Sequence, residues 1–284
     1  MATLRNALKD TEEKLHQHMA YSIDEAKLEA RFILEHVLKI SQKDIIQEND
    51  RQLNEEDQLH IKSITEKRIA GIPLPYVLGE WSFYGRTFKV NQNVLIPRAD
   101  TEILIEKVIS KINARDTFHI LDLGCGTGII GITLALERPL SKVTLIDQSE
   151  AALKNTKDNQ AFHEVSNVTI QKSDWFSALA KTKFDLIVSN PPYLKENDPH
   201  LLKGLEHEPI DALISGFMGM NAIQHIIENG KNHLNVDAWL FIEHGYNQAK
   251  IVKDLFQKNG YQHIEHAKDI HGIHRVTFGQ YSIV

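Results

Sequence analysis

The feature that most constrains the fold of this chain is a regular alternation of short apolar runs and helix-like segments, which begins at Phe118. The apolar runs, each typical of a buried strand, occupy residues 119–123, 143–146, 168–170, 184–188 and 239–242. Helices are predicted over residues 129–137, 151–163 and 248–258, and closing strands near 261–267 and 276–281. Strands that alternate with helices build parallel βαβ units. We therefore predict an open, doubly wound α/β sheet.

The N-terminal part of the chain has a helical pattern instead. Ser22 and Glu25 have the spacing of a capping box, and the apolar residues that follow them recur at helical intervals. Asn54 begins another helical pattern, which ends at Gly71. The region contains no catalytic constellation, so we predict a small helical bundle over residues 1–78.

A β-hairpin is predicted to join this bundle to the rest of the chain. The segment carries aromatic residues on both sides of a glycine, namely Trp81, Phe83, Tyr84, Gly85 and Phe88. We therefore predict a hairpin linker over residues 79–97 and an α/β domain over residues 98–284.

Composition argues against several classes of protein. Because Cys125 is the one cysteine, an intramolecular disulfide is impossible and a cysteine-based zinc site is not expected. The polar N-terminus lacks the apolar region of a secretory signal, and no apolar run approaches the ~18 residues that cross a bilayer. The net charge of −6 is opposite in sign to the usual footprint of a nucleic-acid-binding protein. We expect a cytoplasmic protein without a metal site, a membrane contact or a direct nucleic-acid partner.

A glycine-rich loop follows the first predicted strand. It reads Asp122-Leu-Gly124-Cys125-Gly126-Thr127-Gly128 and precedes a predicted helix. Glycines let a ligand approach the backbone closely, and a helix N-terminus offers free amide groups. In a doubly wound sheet, a nucleotide-like cofactor binds at this place. Residues 126–131 also read G-x-G-x-x-G, so the loop alone leaves open an NAD site or a purely structural turn.

An acidic residue, Asp147, ends the second predicted strand, about 20 residues beyond the glycine loop. A carboxylate at this position can accept hydrogen bonds from both hydroxyl groups of a ribose. The alternative role is a helix cap, although Ser149 is available for that purpose. We predict that Asp147 binds ribose.

The tetrapeptide Asn190-Pro191-Pro192-Tyr193 stands at the end of the fourth predicted strand. Two consecutive prolines fix the backbone and remove two amide donors, which leaves the nearby carbonyl groups and the Asn190 side chain as acceptors. Tyr193 adds a planar wall. This arrangement suits a planar group that carries an NH2, because two acceptors hold its hydrogens.

The tetrapeptide and the glycine loop together resemble the S-adenosylmethionine-dependent amino-methyltransferases, which include adenine-N6, cytosine-N4 and glutamine-amide enzymes. Within that group, the chain looks like the peptide chain release factor glutamine methyltransferases over essentially its whole length. The further segments that carry this resemblance are Pro73-Leu-Pro-Tyr76, Leu95-Ile-Pro-Arg98-Ala-Asp-Thr-Glu102, Ser173-Asp-Trp-Phe176, Glu208-Pro209, Glu243-His-Gly245 and Asp269-Ile-His-Gly-Ile-His-Arg275. One departure is visible: the family usually has a Gly-x-Asp-Gly turn where this chain has Gly216-Phe-Met-Gly219.

The resemblance implies a seven-stranded Rossmann-like methyltransferase fold, preceded in the chain by a helical substrate-recognition domain. It implies S-adenosylmethionine at Gly124, Cys125, Gly126, Thr127 and Gly128, with Asp147 on the ribose, Trp175 beside the adenine, and Asn190 between cofactor and substrate. Residues 190–193 would hold the substrate glutamine, with Asn190, Pro191 and Tyr193 aligning its amide for reaction. The substrate would be the glutamine of the Gly-Gly-Gln loop of class 1 release factors.

The closest alternative is a nucleic-acid adenine-N6 methyltransferase, which has the same tetrapeptide. The negative net charge and the lack of a basic insert argue against it. A cofactor-binding regulator would keep the glycine loop but need not keep residues 190–193. An NAD oxidoreductase leaves that tetrapeptide unexplained.

Overall fold

A computed structural model of the chain describes residues 3–48, 50–202 and 204–282. These residues divide after Glu80 into two compact units, the first helical and the second built around a sheet. Within the described ranges, the structure contains no helix with the length and apolarity that a membrane span requires.

The first unit is a helical bundle, as predicted. Its helices are α1 (Leu4–His18), α2 (Ile23–Leu38), α3 (Gln42–Gln47), α4 (Glu55–Ile69) and α5 (Leu74–Leu78). The capping box at Ser22 is confirmed. The Ser22 hydroxyl accepts from the Glu25 amide, and the Glu25 carboxylate accepts from the Ser22 amide. The apolar stripe of α2 is fully buried at Ala26, Ala30, Ile33 and Leu34. Arg68 on α4 pairs with Glu29 on α2 at 2.9 Å, which ties the two helices together.

The second unit begins with the predicted hairpin, formed by β1 (Glu80–Phe83) and β2 (Arg86–Lys89). The sheet strands that follow are β3 (His119–Leu123), β4 (Lys142–Asp147), β5 (Val168–Lys172), β6 (Phe184–Ser189), β7 (Leu234–Glu243), β8 (Tyr261–Lys268) and β9 (His274–Tyr281). The helices are α6 (Glu102–Lys111), α7 (Ile129–Glu137), α8 (Glu150–Phe162), α9 (Asn221–Gly230) and α10 (Ala249–Lys258). The sequence analysis did not assign α9.

The seven strands lie in the order β5-β4-β3-β6-β7-β9-β8. Strands β3 to β7 pair in parallel, whereas β9 runs antiparallel between β7 and β8. The predicted doubly wound sheet is therefore confirmed, with one antiparallel strand, β9, inserted between β7 and the edge strand β8. Because strand order reverses at β3, the carboxyl ends of β3, β4 and β6 open onto a common crevice, where ligands of such sheets bind.

Helix α7 packs tightly on β4 behind the glycine loop. Gly131 donates its amide to Oδ2 of the buried Asp122 at 2.9 Å. A Cβ at Gly131 would lie 2.6 Å from Cγ of Leu145 and 2.9 Å from that Asp122 oxygen. The closeness of helix and strand therefore requires a glycine here.

We expect Gly131→Ala to lower the free energy of unfolding by about 1–3 kcal/mol, because the added methyl group overpacks a closed interface. Leu145→Ala removes the side chain that the methyl group meets. The double variant should consequently lose less than the sum of the two single losses. Urea unfolding of the three variants measures this coupling, and strictly additive losses would show that the contact is not the cause.

Candidate functional site

The glycine loop connects β3 to α7 at the centre of the sheet. The amides of Gly124 and Cys125 both donate to the carbonyl of Ile146 at 2.9 Å, which holds the loop against the end of β4. Gly128 begins α7 with a φ of 83°, and a Cβ there would lie 2.7 Å from Cγ2 of Thr156. Both the backbone conformation and the packing therefore demand glycine at the start of this helix.

Asp147 ends β4 and faces the loop. Its Oδ2 accepts from the Gly126 amide and its Oδ1 from the Ser149 amide, each at 2.9 Å. Burial raises the pKa of this carboxyl, and the two amide contacts oppose that rise. Ser149, not Asp147, caps α8, since its Oγ accepts from the Ala152 amide at 3.2 Å. A carboxylate keeps further lone pairs beyond these two contacts, so Asp147 can still accept from a ligand.

A cavity of about 500 Å³ opens beside these groups. Its lining contains the predicted residues Gly124, Cys125, Gly126, Thr127, Asp147, Trp175, Asn190 and Pro192. Predicted residue Gly128 is outside this lining and supports the loop from behind. The Trp175 ring lies across the loop, with Cζ3 3.6 Å from where a Cβ of Gly124 would stand. The volume falls within the ~300–1,000 Å³ usual for small-molecule sites.

A second cavity, of about 780 Å³, lies on the other side of Asn190. Pro191 and Tyr193 line this second cavity, and Asn190 lines both. Of the predicted substrate residues, Pro192 lines only the first cavity. The two cavities share Asn190 together with Leu95, Arg98 and Ala212. Among the residues that the structure describes, no cluster of three or more His, Cys, Asp or Glu side chains is arranged to hold a metal ion.

Asn190 itself follows the last residue of β6. Its Nδ2 donates to Oγ1 of Thr101 at 3.2 Å, which turns the amide nitrogen toward Thr101 and leaves Oδ1 on the opposite side. The Tyr193 carbonyl accepts from Nε2 of Gln248 at 3.0 Å, so the end of the tetrapeptide is tied to the turn before α10. Burial raises the pKa of the Tyr193 phenol far above its usual value, so the ring stays neutral.

One wall of the first cavity is held by contacts that were not predicted from the sequence. Glu208, whose side chain is 1% exposed, pairs with Arg98 and accepts from the Ile96 amide at 3.0 Å. Oγ1 of Thr127 donates to the Leu95 carbonyl at 3.1 Å. The segment from 95 to 98 is therefore fixed both to the glycine loop and to the loop that carries Glu208. Both segments contribute to the family resemblance, but no local sequence signal predicts that they contact each other.

Comparison with known proteins was made against family models, curated proteins and solved structures. The model described as "Methyltransferase small domain" matches residues 99–208, and "PrmC N-terminal domain" matches residues 6–79. The release factor glutamine methyltransferase of Vibrio cholerae is 39% identical over 98% of this chain and 97% of its own length. The enzyme of that name from Escherichia coli is 36% identical over 89% of this chain and 91% of its own.

The chain belongs to the release factor glutamine methyltransferase family. A solved methyltransferase from Pyrococcus furiosus shares the fold, with a TM-score of 0.55, 17% identity and coverage of 77% of this chain and all of that one. The resemblance inferred from the sequence is therefore confirmed. As a member of this family, the chain is an S-adenosylmethionine-dependent methyltransferase, and the NAD alternative that the loop alone left open no longer holds.

The first cavity fits S-adenosylmethionine by its chemistry as well as its size. We infer that Gly124, Cys125 and Gly126 would lie against the cofactor, that Asp147 would accept from the ribose hydroxyls, and that Trp175 would lie beside the adenine. The absence of side chains at the two glycines and the carboxylate in the lining support this assignment.

We expect Asp147→Ala to weaken S-adenosylmethionine binding by about 1.5–3 kcal/mol, because charge-assisted hydrogen bonds to ribose are lost. Calorimetric titration measures the change. Asp158→Ala is the matched control, since it removes the same charge from an exposed position on α8 and should keep the wild-type Kd. Because Asp147 also holds the Gly126 amide, folding is checked by circular dichroism. An unchanged Kd in a folded Asp147→Ala protein would remove this residue from the site.

Proposed function

We propose that this chain transfers a methyl group from S-adenosylmethionine to the side-chain amide nitrogen of the glutamine in the Gly-Gly-Gln loop of class 1 peptide chain release factors. Family membership supports this substrate. The observation that carries the proposal is the place of Asn190, the one residue of the tetrapeptide that lines both cavities. A planar amide in the second cavity would meet Asn190 at the side facing the first.

The chemistry asks for alignment more than for a strong base. A carboxamide nitrogen is a poor nucleophile, because its lone pair is delocalised into the carbonyl group. S-adenosylmethionine supplies the methyl group in an already activated form. We propose that Oδ1 of Asn190 and the Pro191 carbonyl accept the two N–H bonds of the glutamine, which orients its nitrogen toward the first cavity. Pro192 keeps the backbone rigid, and Tyr193 would pack against the amide plane.

We expect Asn190→Ala to raise the reaction barrier by about 2–4 kcal/mol and so to lower kcat by roughly 30- to 1,000-fold. Binding of the release factor should change much less, because Asn190 would touch only the reacting amide. Asn235→Ala is the control. Asn235 lies near the start of β7, at the end of the sheet away from Asn190, and its Nδ2 donates to Asp185. Steady-state kinetics on a purified release factor measure the split. A kcat within about threefold of wild type would sink the proposed role.

The substrate assignment is tested by incubating the protein with S-adenosylmethionine and purified release factors. Intact-mass and peptide analysis should find one added methyl group on the loop glutamine. Duplex DNA and RNA are assayed in parallel, because an adenine-N6 methyltransferase is the closest alternative. Methylated adenine together with an unmodified release factor would overturn the proposal. The net charge of −6 favours the protein substrate.

We also propose separate roles for three parts of the chain. Residues 1–78 are the substrate-recognition domain, residues 79–97 a hairpin linker and residues 98–284 the methyltransferase domain. A short glycine-rich loop offers little surface, so discrimination against other glutamines requires contacts outside the pocket. The helical unit contains no candidate cofactor loop and is matched by its own family model over residues 6–79.

We expect a chain that starts at Gly79 to bind S-adenosylmethionine but to methylate intact release factor poorly. On a short Gly-Gly-Gln peptide, the truncated and full-length chains should differ much less, because the peptide lacks the surface that the helices would bind. The measurement is kcat/KM on protein and on peptide for both chains, after circular dichroism confirms folding. An equal loss on both substrates would mean that the helices only support the catalytic domain.

A further inference from the structure

An acidic residue, Glu243, lies beside Asn190 and has no role in the proposed methyl transfer. Glu243 is the last residue of β7, and Ile242 before it pairs with Ser189 at the end of β6. Glu243 therefore stands level with Asn190 on the adjacent strand. It is 2% exposed, and its Oε2 has no hydrogen-bond partner among the described residues. An unpaired buried carboxyl oxygen is costly, so its position calls for a function.

The polar neighbours of Glu243 connect it to Asn190. The Thr101 hydroxyl and the Asn190 side chain both lie close enough to the Glu243 carboxyl group to lower its pKa. Thr101 in turn accepts from Nδ2 of Asn190 at 3.2 Å. Both hydrogens of the Asn190 amide can therefore be taken up on the side away from the substrate, one by Thr101 and one by Glu243.

We propose that Glu243 is a positioning residue that, together with Thr101, fixes the rotation of the Asn190 amide so that Oδ1 faces the substrate glutamine. This inference rests on the proposed function. The two ends of an asparagine amide have nearly the same shape, so hydrogen bonds decide which end points where. A rotated amide would place Oδ1 against the carboxylate oxygen of Glu243 and present an N–H group to the substrate, where an acceptor is needed.

The protonation state of Glu243 bears on this role. Burial raises its pKa to about 7, Asp100 adds to the rise, and Arg275 opposes it. Arg275 also pairs with Asp100 at 2.9 Å and with Asp269 at 2.8 Å, so its charge is shared. Tyr193 also faces Glu243, and its phenol stays neutral.

Only the ionised form of Glu243 is a pure acceptor. A protonated carboxyl can donate its O–H to a rotated Asn190 and thereby stabilise the wrong orientation. The wild-type kcat/KM, which reports groups of the free enzyme, should consequently fall as the pH decreases through about 7.

The experiment compares Glu243→Gln with wild type in release factor methylation from acidic to alkaline pH. Glutamine is neutral at every pH and can present either its oxygen or its amide to Asn190. We expect kcat to fall about tenfold or more above neutrality. The step near pH 7 should disappear, while KM for the release factor and Kd for S-adenosylmethionine stay within about threefold. Glu265→Gln is the control, because this exposed residue pairs with Lys111 and should keep the wild-type profile.

A purely structural role gives a different result. Replacing the buried Glu243 carboxylate with a neutral glutamine should not lower the melting temperature above pH 7. A loss of kcat that accompanies unfolding of Glu243→Gln would therefore overturn the proposal. An unchanged pH profile in Glu243→Gln would overturn it as well. If that variant does not fold, Thr101→Val serves instead: it removes the hydroxyl that accepts from Nδ2 of Asn190 and should lower kcat, while KM for the release factor stays within about threefold. A wild-type kcat in folded Thr101→Val would contradict the arrangement.

Failure of the proposed function would look different again. If the wild-type protein leaves release factors unmethylated, the substrate assignment falls and the role of Glu243 falls with it. If wild type is active and Glu243→Gln behaves like Glu265→Gln, only the positioning role is lost.

Discussion

The reversal of strand order at β3 is the constraint on which the rest of the site depends. Because β4 and β6 pair with opposite edges of β3, their loops leave the sheet in different directions and a crevice opens between them. The glycine loop is held in that crevice by two amides on the Ile146 carbonyl. Asp147 on one side and Asn190 on the other then face the same space. The glycine loop, Asp147 and Asn190 are far apart in sequence, and the sheet brings them together.

Two buried carboxyl groups in this region destabilise the folded state at and above neutral pH. Asp122 and Glu243 both have a pKa that burial raises to about 7, above the values near 4 of exposed carboxyls. A raised pKa means that the folded state binds the proton more tightly than the unfolded state. Their contribution to stability is therefore present below about pH 4 and is lost as the pH rises through 7. Glu243 lies next to Asn190, which aligns the reacting amide in the proposed mechanism, and a stability cost at this position is compatible with a role in function.

Much of this arrangement could be predicted from local sequence signals. The strand, glycine loop and helix around residue 124, and the capping box at Ser22, are short-range features whose chemistry the sequence states directly. Helix α9 was not predicted, although Ile223, Ile226 and Ile227 have helical spacing. The insertion of β9 between β7 and β8 and the pairing of Arg98 with Glu208 could not be predicted, because they join segments that only the tertiary fold brings into contact.

The departure of this chain from its family at Gly216-Phe-Met-Gly219 has a structural explanation. A Cβ at Gly219 would lie 2.3 Å from the Tyr193 carbonyl oxygen, and its φ is 69°. A Cβ at Gly216 would lie 2.2 Å from Nδ2 of Asn221. Close backbone packing against the tetrapeptide thus requires glycine at 219, and a φ of 71° favours glycine at 216. Phe217 and Met218 between them are 74% and 64% exposed and line the second cavity. The turn therefore depends on its glycines and not on an acidic side chain, so the replaced position is free to give that cavity an apolar rim.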